Sequence, residues 1–398
     1  MGRDNRDDRN KIKRRKVSSS DRKPTAQTSS TSSKPRNKKN VSSKKSSGRF
    51  KGVKTVALIF LVLAVVAVAA GSGVIFASLR NTETINKAYL DKKTYQTTEI
   101  LYADGNLLAK AKTAAKKEPL NDISKISINL QHALVAAEDE RFYEHNGVDF
   151  KGLTRSIVNT VMGNQQGGST IPMQVSKLLI TSQEQSISRK IKDIYYALEM
   201  SKSVSKDDIL LTYLNNFYAG RGLYGAQAAA QGYFSVDAAG LSIGQSALLM
   251  AATNNPSKYS PYTTEKLNGT ENKEDVENKL IFYTNTTEDN LDEPTSVELQ
   301  MIDKLYSWGL IESDTYSQLK AETLVVRKAV PREAAKTKQR AILAKMLRLR
   351  YITQAEYDKA AAEPIEIKLP KSAETVVSSV EDYVYEEAVK ALMEQGYT

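Results

Sequence analysis

The chain has 398 residues, no cysteine, two histidines and a formal net charge of +11. Its length exceeds that of one average domain and allows a large buried core. The composition excludes disulfide bonds, thiol chemistry and a histidine-rich metal site, so carboxylates are the main candidates for catalysis or metal binding.

The positive charge is concentrated at the N-terminus. Residues 1–54 contain 19 Lys and Arg against 4 Asp and Glu, a net charge of +15, whereas the remaining residues have a net charge of −4. This stretch is rich in Ser, Thr and Asn and is predicted to be a disordered tail. Its expected partner is anionic membrane lipid. Simple solvation is the alternative, and nucleic acid is not an expected partner.

An uncharged apolar segment follows at residues 55–79. Its length exceeds the roughly 20 residues that a helix needs to cross a bilayer, so it is predicted to be a single transmembrane helix. The basic tail places the N-terminus in the cytoplasm and residues 80–398 outside the cell. A cleaved signal peptide is the alternative, although the apolar run is longer than the roughly 7–15 residues of such a segment.

The exported part is predicted to be mainly α-helical. Residues 80–127 form a connector with short β elements around a turn at Asp104-Gly105. Apolar residues then recur at helical spacing, so one α domain is expected over 128–261, with residue 95 as an alternative start. Within it, Ser205 is expected to cap a helix, and Ser242 to Thr253 is expected to form an apolar helix.

The C-terminal third has a different pattern. Residues 262–297 are predicted to be a polar insertion. In 298–370, the segment Lys304 to Glu322 recurs 41 positions later as Lys345 to Glu363, which predicts a duplicated helix-turn-helix linker that packs on a neighbouring element. Residues 371–398 are interpreted as the truncated start of a further linker.

One candidate site begins at Glu138. On a helical wheel of about 100° per residue, Glu138, Phe142 and His145 share one face, while Asp139 points away. By itself this stripe is more typical of a surface helix with a buried phenylalanine than of an active site.

A second segment predicts an anion site. Gly167-Gly168 allows a tight turn, Ser169 or Thr170 can cap a helix, and Pro172 suits its first turn. The free N–H groups of such a helix start bind anions, and Gln174 and Lys177 project from the same side.

A third segment combines cations with a carboxylate. Arg189 and Lys190 precede Asp193, which lies four residues after Arg189 and forms either a surface ion pair or part of a phosphate site. Together the three segments indicate group transfer from a phosphorylated donor.

In order, these segments resemble the motifs of the family 51 peptidoglycan glycosyltransferases, the lysozyme-like domain of class A penicillin-binding proteins. The resemblance covers about residues 95–261 and includes later positions around Asn215 and Gly220 to Gly225. It implies a lysozyme-like glycosyltransferase domain that lies behind a single N-terminal transmembrane helix and is followed by a small helical linker region. The region beyond residue 350 resembles the linker that leads to a transpeptidase domain, whose own motifs are missing from this sequence.

The resemblance also implies a reaction. Lipid II would be polymerised into glycan strands by inverting transfer from a polyprenyl-diphosphate donor. Glu138 would be the general base and Asp193 a second catalytic carboxylate. The implied substrate-binding residues are Asp139, Phe142, His145, Gly168, Ser169, Thr170, Gln174, Lys177, Arg189, Lys190 and Asn215.

Cofactors and partners follow from the same resemblance. A divalent metal, Mg or Mn, held by Asp139 or Asp193 is expected as an option, and no organic cofactor is expected. The expected partners are lipid II, the nascent glycan strand, and cell-wall synthesis or division proteins.

The sequence departs from the family at four positions. Asp193 stands where the family has Glu, Gln185 and Val236 replace basic residues, and Gln245 replaces a Glu. Two other functions therefore remain open. One is a catalytically attenuated paralogue that acts as a lipid II-binding or cell-wall scaffold protein. The other is a muramidase-like hydrolase, against which the cation cluster argues.

Overall fold

The computed structural model describes residues 48–80, 82–94, 99–101, 107–110, 116–163, 167–181, 186–284 and 294–370. The chain divides into two compact units, residues 1–65 and residues 66–398. The disordered tail was predicted over 1–54; its residues 1–47 lie outside the described residues, whereas 48–54 are helical in the structure, so the prediction is wrong for them. The turn at Asp104-Gly105, position Gln185 and the C-terminal stretch 371–398 also lie outside the described residues.

The described residues are mainly helical, which confirms the predicted fold class. The helices are α1 Gly48–Leu79, α2 Lys87–Lys93, α3 Ile128–Glu138, α4 Phe150–Val161, α5 Ile171–Leu179, α6 Ile187–Ser203, α7 Lys206–Asn216, α8 Gly225–Phe234, α9 Ile243–Asn254, α10 Pro256–Tyr259, α11 Lys273–Val276, α12 Ser296–Ser307, α13 Ser313–Lys320, α14 Glu333–Arg348 and α15 Gln354–Ala362. The strands are β1 Glu99–Leu101, β2 Leu107–Lys110, β3 Lys116–Lys117, β4 Tyr218–Gly220, β5 Leu223–Tyr224, β6 Tyr262–Glu265, β7 Leu280–Thr284 and β8 Leu324–Pro331.

Helix α1 contains the predicted membrane segment. Its portion Phe60–Leu79 is the one helix among the described residues that is long and apolar enough to cross a bilayer, with a mean hydropathy of 2.6. Large apolar side chains such as Phe60 and Phe76 are exposed along it, as a lipid-facing helix requires.

The main core lies under α3, α7, α8 and α9 and buries Leu130, Leu134, Leu214 and Leu249. Local sequence fixes where these helices start. Ser205 accepts a hydrogen bond from the Asp208 N–H at the start of α7, and Ser242 forms a capping box with Gln245 at the start of α9. Both predicted helix starts are confirmed.

Three small sheets accompany the helices. Strands β1 and β2 pair antiparallel, and β5 lies between β3 and β4. In the third sheet β8 is central, with β6 and β7 antiparallel on either side. Its outer strands come from 262–297, so the interpretation of that range as a purely polar insertion is wrong: it supplies strands to a folded unit.

That unit, residues 262–331, has its own apolar core. Met301, Ile302 and Leu305 from α12 pack on Leu319 and Val326. Its chain ends are adjacent, because Tyr262 pairs with Pro331 across β6 and β8. The unit is therefore inserted between α10 and α14 at a single point of the chain.

The two repeats form the same local structure. Helices α12 and α13 make one helix-turn-helix, and α14 and α15 make the other. In the first turn Gly309 has φ +69°, and in the second Arg350, 41 residues later, has φ +62°. The backbone bond from Leu310 N–H to Leu305 also recurs as the bond from Tyr351 N–H to Met346. The second copy packs on α9 and α3.

Candidate active site

A polar cleft of about 630 Å³ collects most of the predicted site residues. Its walls come from the end of α3, the start of α5, one face of α6 and part of α14. The predicted residues that line it are Glu138, Asp139, Gly168, Ser169, Thr170, Gln174, Lys177, Arg189, Lys190 and Asp193.

Glu138 is the last residue of α3, and its side chain is half-buried. The Gln174 amide donates a hydrogen bond of 2.5 Å to its carboxylate. The Tyr213 hydroxyl donates to the Gln174 carbonyl oxygen at 3.4 Å. Burial raises the pKa of Tyr213, and the nearby Glu138 charge raises it further. This chain of hydrogen bonds fixes the carboxylate while part of it remains open to the cleft.

The helical wheel drawn through Glu138, Phe142 and His145 is wrong, because α3 ends at Glu138 and a turn follows. Phe142 is fully buried in the main core. The Lys206 ammonium lies 4.3 Å from its ring centroid and donates to the Phe142 and His145 carbonyls. Phe142 therefore anchors the turn and does not contact substrate, which corrects its predicted role.

Asp139 occupies the helix start that was predicted to bind an anion. Its carboxylate accepts from the Ile171 N–H at 2.9 Å and from His145 Nε2 at 2.9 Å. Thr170 caps the Met173 N–H, and Pro172 has no N–H. The N–H groups of the first turn of α5 are thus already satisfied, so the prediction that they bind a diphosphate is wrong. Asp139 and His145 are positioning residues.

Three cations line the cleft instead. Lys177 is exposed at the C-terminal end of α5, while Arg189 and Lys190 lie on α6. Lys190 donates to the Ser169 hydroxyl at 2.6 Å. Burial lowers the pKa of Lys190; Asp193 opposes this effect, and Arg189 and Lys177 add to it.

Arg189 has hydrogen-bonding capacity to spare. Its Nε and Nη1 atoms have no hydrogen-bond partner, and Nη1 lies 3.9 Å from Asp193 Oδ2. Such donors stabilise an oxyanion that reaches them.

Gly168 brings the chain close to α4. A Cβ at this position would lie 2.8 Å from Ser156 Cβ, so glycine permits the close approach. Because glycine has no side chain, the Gly168 backbone can pack against α4 and form this wall of the cleft.

Asp193 is 2% exposed and is held within the protein. Its Oδ1 accepts from the Ser176 and Thr181 hydroxyls at 3.1 and 2.8 Å. The carboxylate thereby fixes α6 against the end of α5 and places its charge beneath Arg189 and Lys190. In this structure Asp193 acts as a positioning residue that also lines the cleft, and its predicted role as a second catalytic carboxylate stays a prediction.

The carboxylates do not form a preformed metal site. In the described ranges no group of three or more Asp, Glu, His or Cys side chains could hold a metal ion. Both oxygens of Asp139 already accept hydrogen bonds, and Asp193 Oδ1 accepts two. These residues do not fit a protein-held Mg or Mn ion.

Asn215 lies outside the cleft. Its side-chain amide forms a two-way pair with the Leu120 backbone, at 2.9 Å to the N–H and 2.8 Å to the carbonyl. It fastens the connector to α7, so its predicted substrate contact is wrong.

The departures from the family pattern also fall largely outside the cleft. Val236 packs against the main core. Gln245 belongs to the capping box of α9 and lines a separate cavity of about 960 Å³.

The cleft is also lined by residues that the sequence reasoning did not assign to the site, among them Arg155, Asn254, Lys338 and Lys345. The two lysines are seven residues apart on α14, which places them on one helix face. This spacing was the available signal, but nothing in the sequence linked α14 to Glu138, about 200 positions earlier.

Comparison with known proteins identifies the region that carries the cleft. Residues 104–280 match the model of the family described as Transglycosylase. The chain is 37% identical over 160 residues to penicillin-binding protein 4 of Bacillus subtilis, covering 40% of this chain and 26% of the relative. It is 42% identical over 142 residues to penicillin-binding protein 2a of Streptococcus pneumoniae, covering 36% of this chain and 19% of the relative.

A further relative is penicillin-binding protein 1A of Clostridium botulinum, 33% identical over 202 residues and covering 49% of this chain and 24% of the relative. The chain therefore spans about a quarter or less of these relatives. A crystal structure of penicillin-binding protein 1A from Haemophilus influenzae aligns with a TM-score of 0.31 and 17% identity, covering 75% of this chain and 24% of that chain.

Proposed function

We propose that the chain is a peptidoglycan glycosyltransferase, since its residues 104–280 match the Transglycosylase family model, and that it polymerises lipid II into glycan strands at the membrane. One observation supports this proposal above the others. The Glu138 carboxylate and the cations Lys177, Arg189 and Lys190 line the same cleft. A base and a diphosphate-binding charge cluster are the two groups that such a transfer needs.

The proposed reaction is an inverting displacement. The 4-hydroxyl oxygen of the acceptor sugar forms a bond to C1 of the donor sugar, and the bond from C1 to the diphosphate oxygen breaks. The hydroxyl proton passes to Glu138. The electron pair leaves with the diphosphate, whose developing charge is stabilised by Lys177, Arg189 and Lys190. The diphosphate leaves without protonation, and no step requires a metal ion.

Other residues prepare the cleft for this step. Gln174 holds the Glu138 carboxylate from one side. Asp193 holds α6 so that Arg189 and Lys190 face the cleft. Fixing these groups before the substrate arrives lowers the cost of reorganisation in the transition state.

The apolar helix supports a location of this activity at the membrane. In the proposed topology Phe60–Leu79 spans the cytoplasmic membrane, the basic tail lies in the cytoplasm against anionic lipids, and the cleft works outside. A lipid-anchored donor then meets a membrane-anchored enzyme in the same plane.

The test is polymerisation of labelled lipid II by the full chain in detergent or vesicles. The wild type is expected to make long glycan strands, and Glu138→Gln, which keeps the shape but removes the base, is expected to lose at least about 10²-fold in rate. Asp237→Asn, on the surface near α8, is the matched control and is expected to polymerise normally.

The alternatives give other results in the same assay. Binding of lipid II without polymer favours the attenuated lipid II-binding or scaffold protein. Cleavage of finished strands favours a hydrolase. Polymer made equally well by Glu138→Gln contradicts the proposed role of this carboxylate.

A further inference from the structure

Helix α14 forms part of the cleft although it lies beyond the residues that match the family. The family match ends at residue 280, and α14 begins at Glu333. Its Lys345 lines the cleft. The Lys345 ammonium donates to the Ala137 carbonyl at 3.1 Å and lies 3.6 Å from Glu140 Oε1.

The Ala137 carbonyl belongs to the last turn of α3, directly before Glu138. Carbonyls in the last turn of a helix lack intrahelical partners, and that end of the helix carries partial negative charge. A lysine ammonium there satisfies a carbonyl and offsets the charge. Helix α3 has no basic residue of its own in the last turn, so Lys345 supplies this cap from another helix.

A second contact fixes the position of Lys345. Arg348, one turn further along α14, forms an ion pair of 2.6 Å with Glu140. Glu140 thus links both basic residues to the turn that follows Glu138. On the other side Gln174 holds the Glu138 carboxylate, so the candidate base is held from α5 and, through the α3 backbone, from α14.

We infer that Lys345 is a positioning residue that caps α3 and thereby holds Glu138 for proton abstraction. This inference rests on the proposed glycosyltransferase function. It makes the helical region after the inserted unit part of the catalytic machinery.

Kinetics on the full chain test the inference with lipid II as substrate. Lys345→Met keeps the length of the side chain and removes the ammonium. We expect kcat to fall about tenfold with KM unchanged, since a small misplacement of a base lowers the rate of the chemical step. Lys345→Arg, which keeps the charge, should recover most of kcat.

The matched control is Lys359→Met on α15, whose side chain is exposed and lies outside the cleft. A Lys345→Met variant that behaves like this control overturns the inference. A raised KM with unchanged kcat also overturns it, because Lys345 would then bind substrate instead of positioning Glu138.

A second measurement does not depend on activity. Hydrogen exchange of a peptide covering residues 135–142 should be faster in Lys345→Met than in the wild type and in Lys359→Met, because the end of α3 loses its cap. Unchanged exchange contradicts the cap. If the wild type makes no polymer but exchange responds as expected, the proposed function fails while the cap stands.

Discussion

At the scale of single residues, some polar side chains of the cleft are hydrogen-bonded within the protein, whereas others can bind a ligand. Asp139 is a carboxylate in a cleft lined by cations, and its charge is offset by the α5 N-terminus and His145. Arg189 Nε and Nη1 have no hydrogen-bond partner among the described residues, and the Lys177 side chain is exposed. The negative group is therefore satisfied internally, while the positive groups face the cleft.

Lys190 leads to a pH-dependent prediction. Burial lowers its pKa, and Arg189 and Lys177 lower it further against the opposing effect of Asp193. In the proposed reaction the Lys190 ammonium stabilises the leaving diphosphate. Activity should therefore be lost as pH rises through this lowered pKa, below the usual range for lysine. Lys190→Arg keeps its charge at higher pH and should extend the active range upward. The measurement is the alkaline limb of the pH–rate profile.

Lys192→Arg, on the same helix but outside the cleft, is the control for this comparison and should leave the profile unchanged. An alkaline limb at the same pH in the wild type and Lys190→Arg would show that another group sets it.

The sequence predicted the cleft residues well where local spacing decides the outcome. Glu138, Gln174, Lys177, Arg189 and Lys190 all line one cleft. Three predictions were wrong. Phe142 is buried in the core, Asn215 is hydrogen-bonded to the Leu120 backbone, and the Asp139 carboxylate accepts the N–H at the start of α5. These are tertiary contacts, which spacing along a chain does not reveal.

At the scale of elements, the two helix-turn-helix repeats have the same backbone conformation, but different residue types occupy the left-handed position of the turn. Gly309 adopts φ +69° without strain, whereas Arg350 adopts φ +62° with a side chain. Repetition of the "Ile…Tyr…Glu" pattern predicted the repeated helices. The inserted strands β6 and β7 were not predicted. Strand β6 is short and mostly polar, β7 is an apolar run inside an otherwise polar range, and their partner β8 lies 40 or more positions away.

This difference predicts opposite effects of two substitutions. Arg350→Gly should raise the free energy of unfolding by about 0.5–1 kcal/mol, because glycine removes the cost of the left-handed conformation. Gly309→Ala should lower it by a similar amount of about 1 kcal/mol; the position has space for a Cβ, so backbone strain alone is measured.

Chemical denaturation measures both effects. Glu366→Gly, outside helices and strands, is the control for a general effect of glycine. A destabilising Arg350→Gly would show that the arginine side chain makes a contact worth more than the strain.

At the scale of the whole molecule, the inserted unit 262–331 stands apart from the catalytic machinery. It has its own core, and among its described residues, 262–284 and 294–331, none lines the cleft. Helices α3 to α10 come before it in the sequence and α14 comes after it. Residues from both parts line the cleft. The apolar helix was predictable from composition, and the two helix-turn-helix units were predictable from repetition. The contact between α14 and α3 is visible only in the folded structure.

Excision of the unit should therefore leave activity largely intact. Strands β6 and β8 pair Thr264 with Ala329, so residues 265–328 can be replaced by an Asn-Gly turn that joins the two strands. We expect polymerisation of lipid II within about threefold of the wild type, since α14 still reaches α3. Rate and melting temperature should be measured together. A folded variant that has lost polymerisation would show that the unit takes part in catalysis.

The central claim is that Glu138 acts in the chemical step while the cations bind the diphosphate. Paired measurements of lipid II binding and single-turnover transfer test it most directly, in the wild type, Glu138→Gln and Lys190→Met. The claim predicts that Glu138→Gln binds lipid II as tightly as the wild type but forms almost no product, whereas Lys190→Met loses affinity and rate together. Normal product formation by Glu138→Gln, or unchanged diphosphate binding and rate in Lys190→Met, would contradict it.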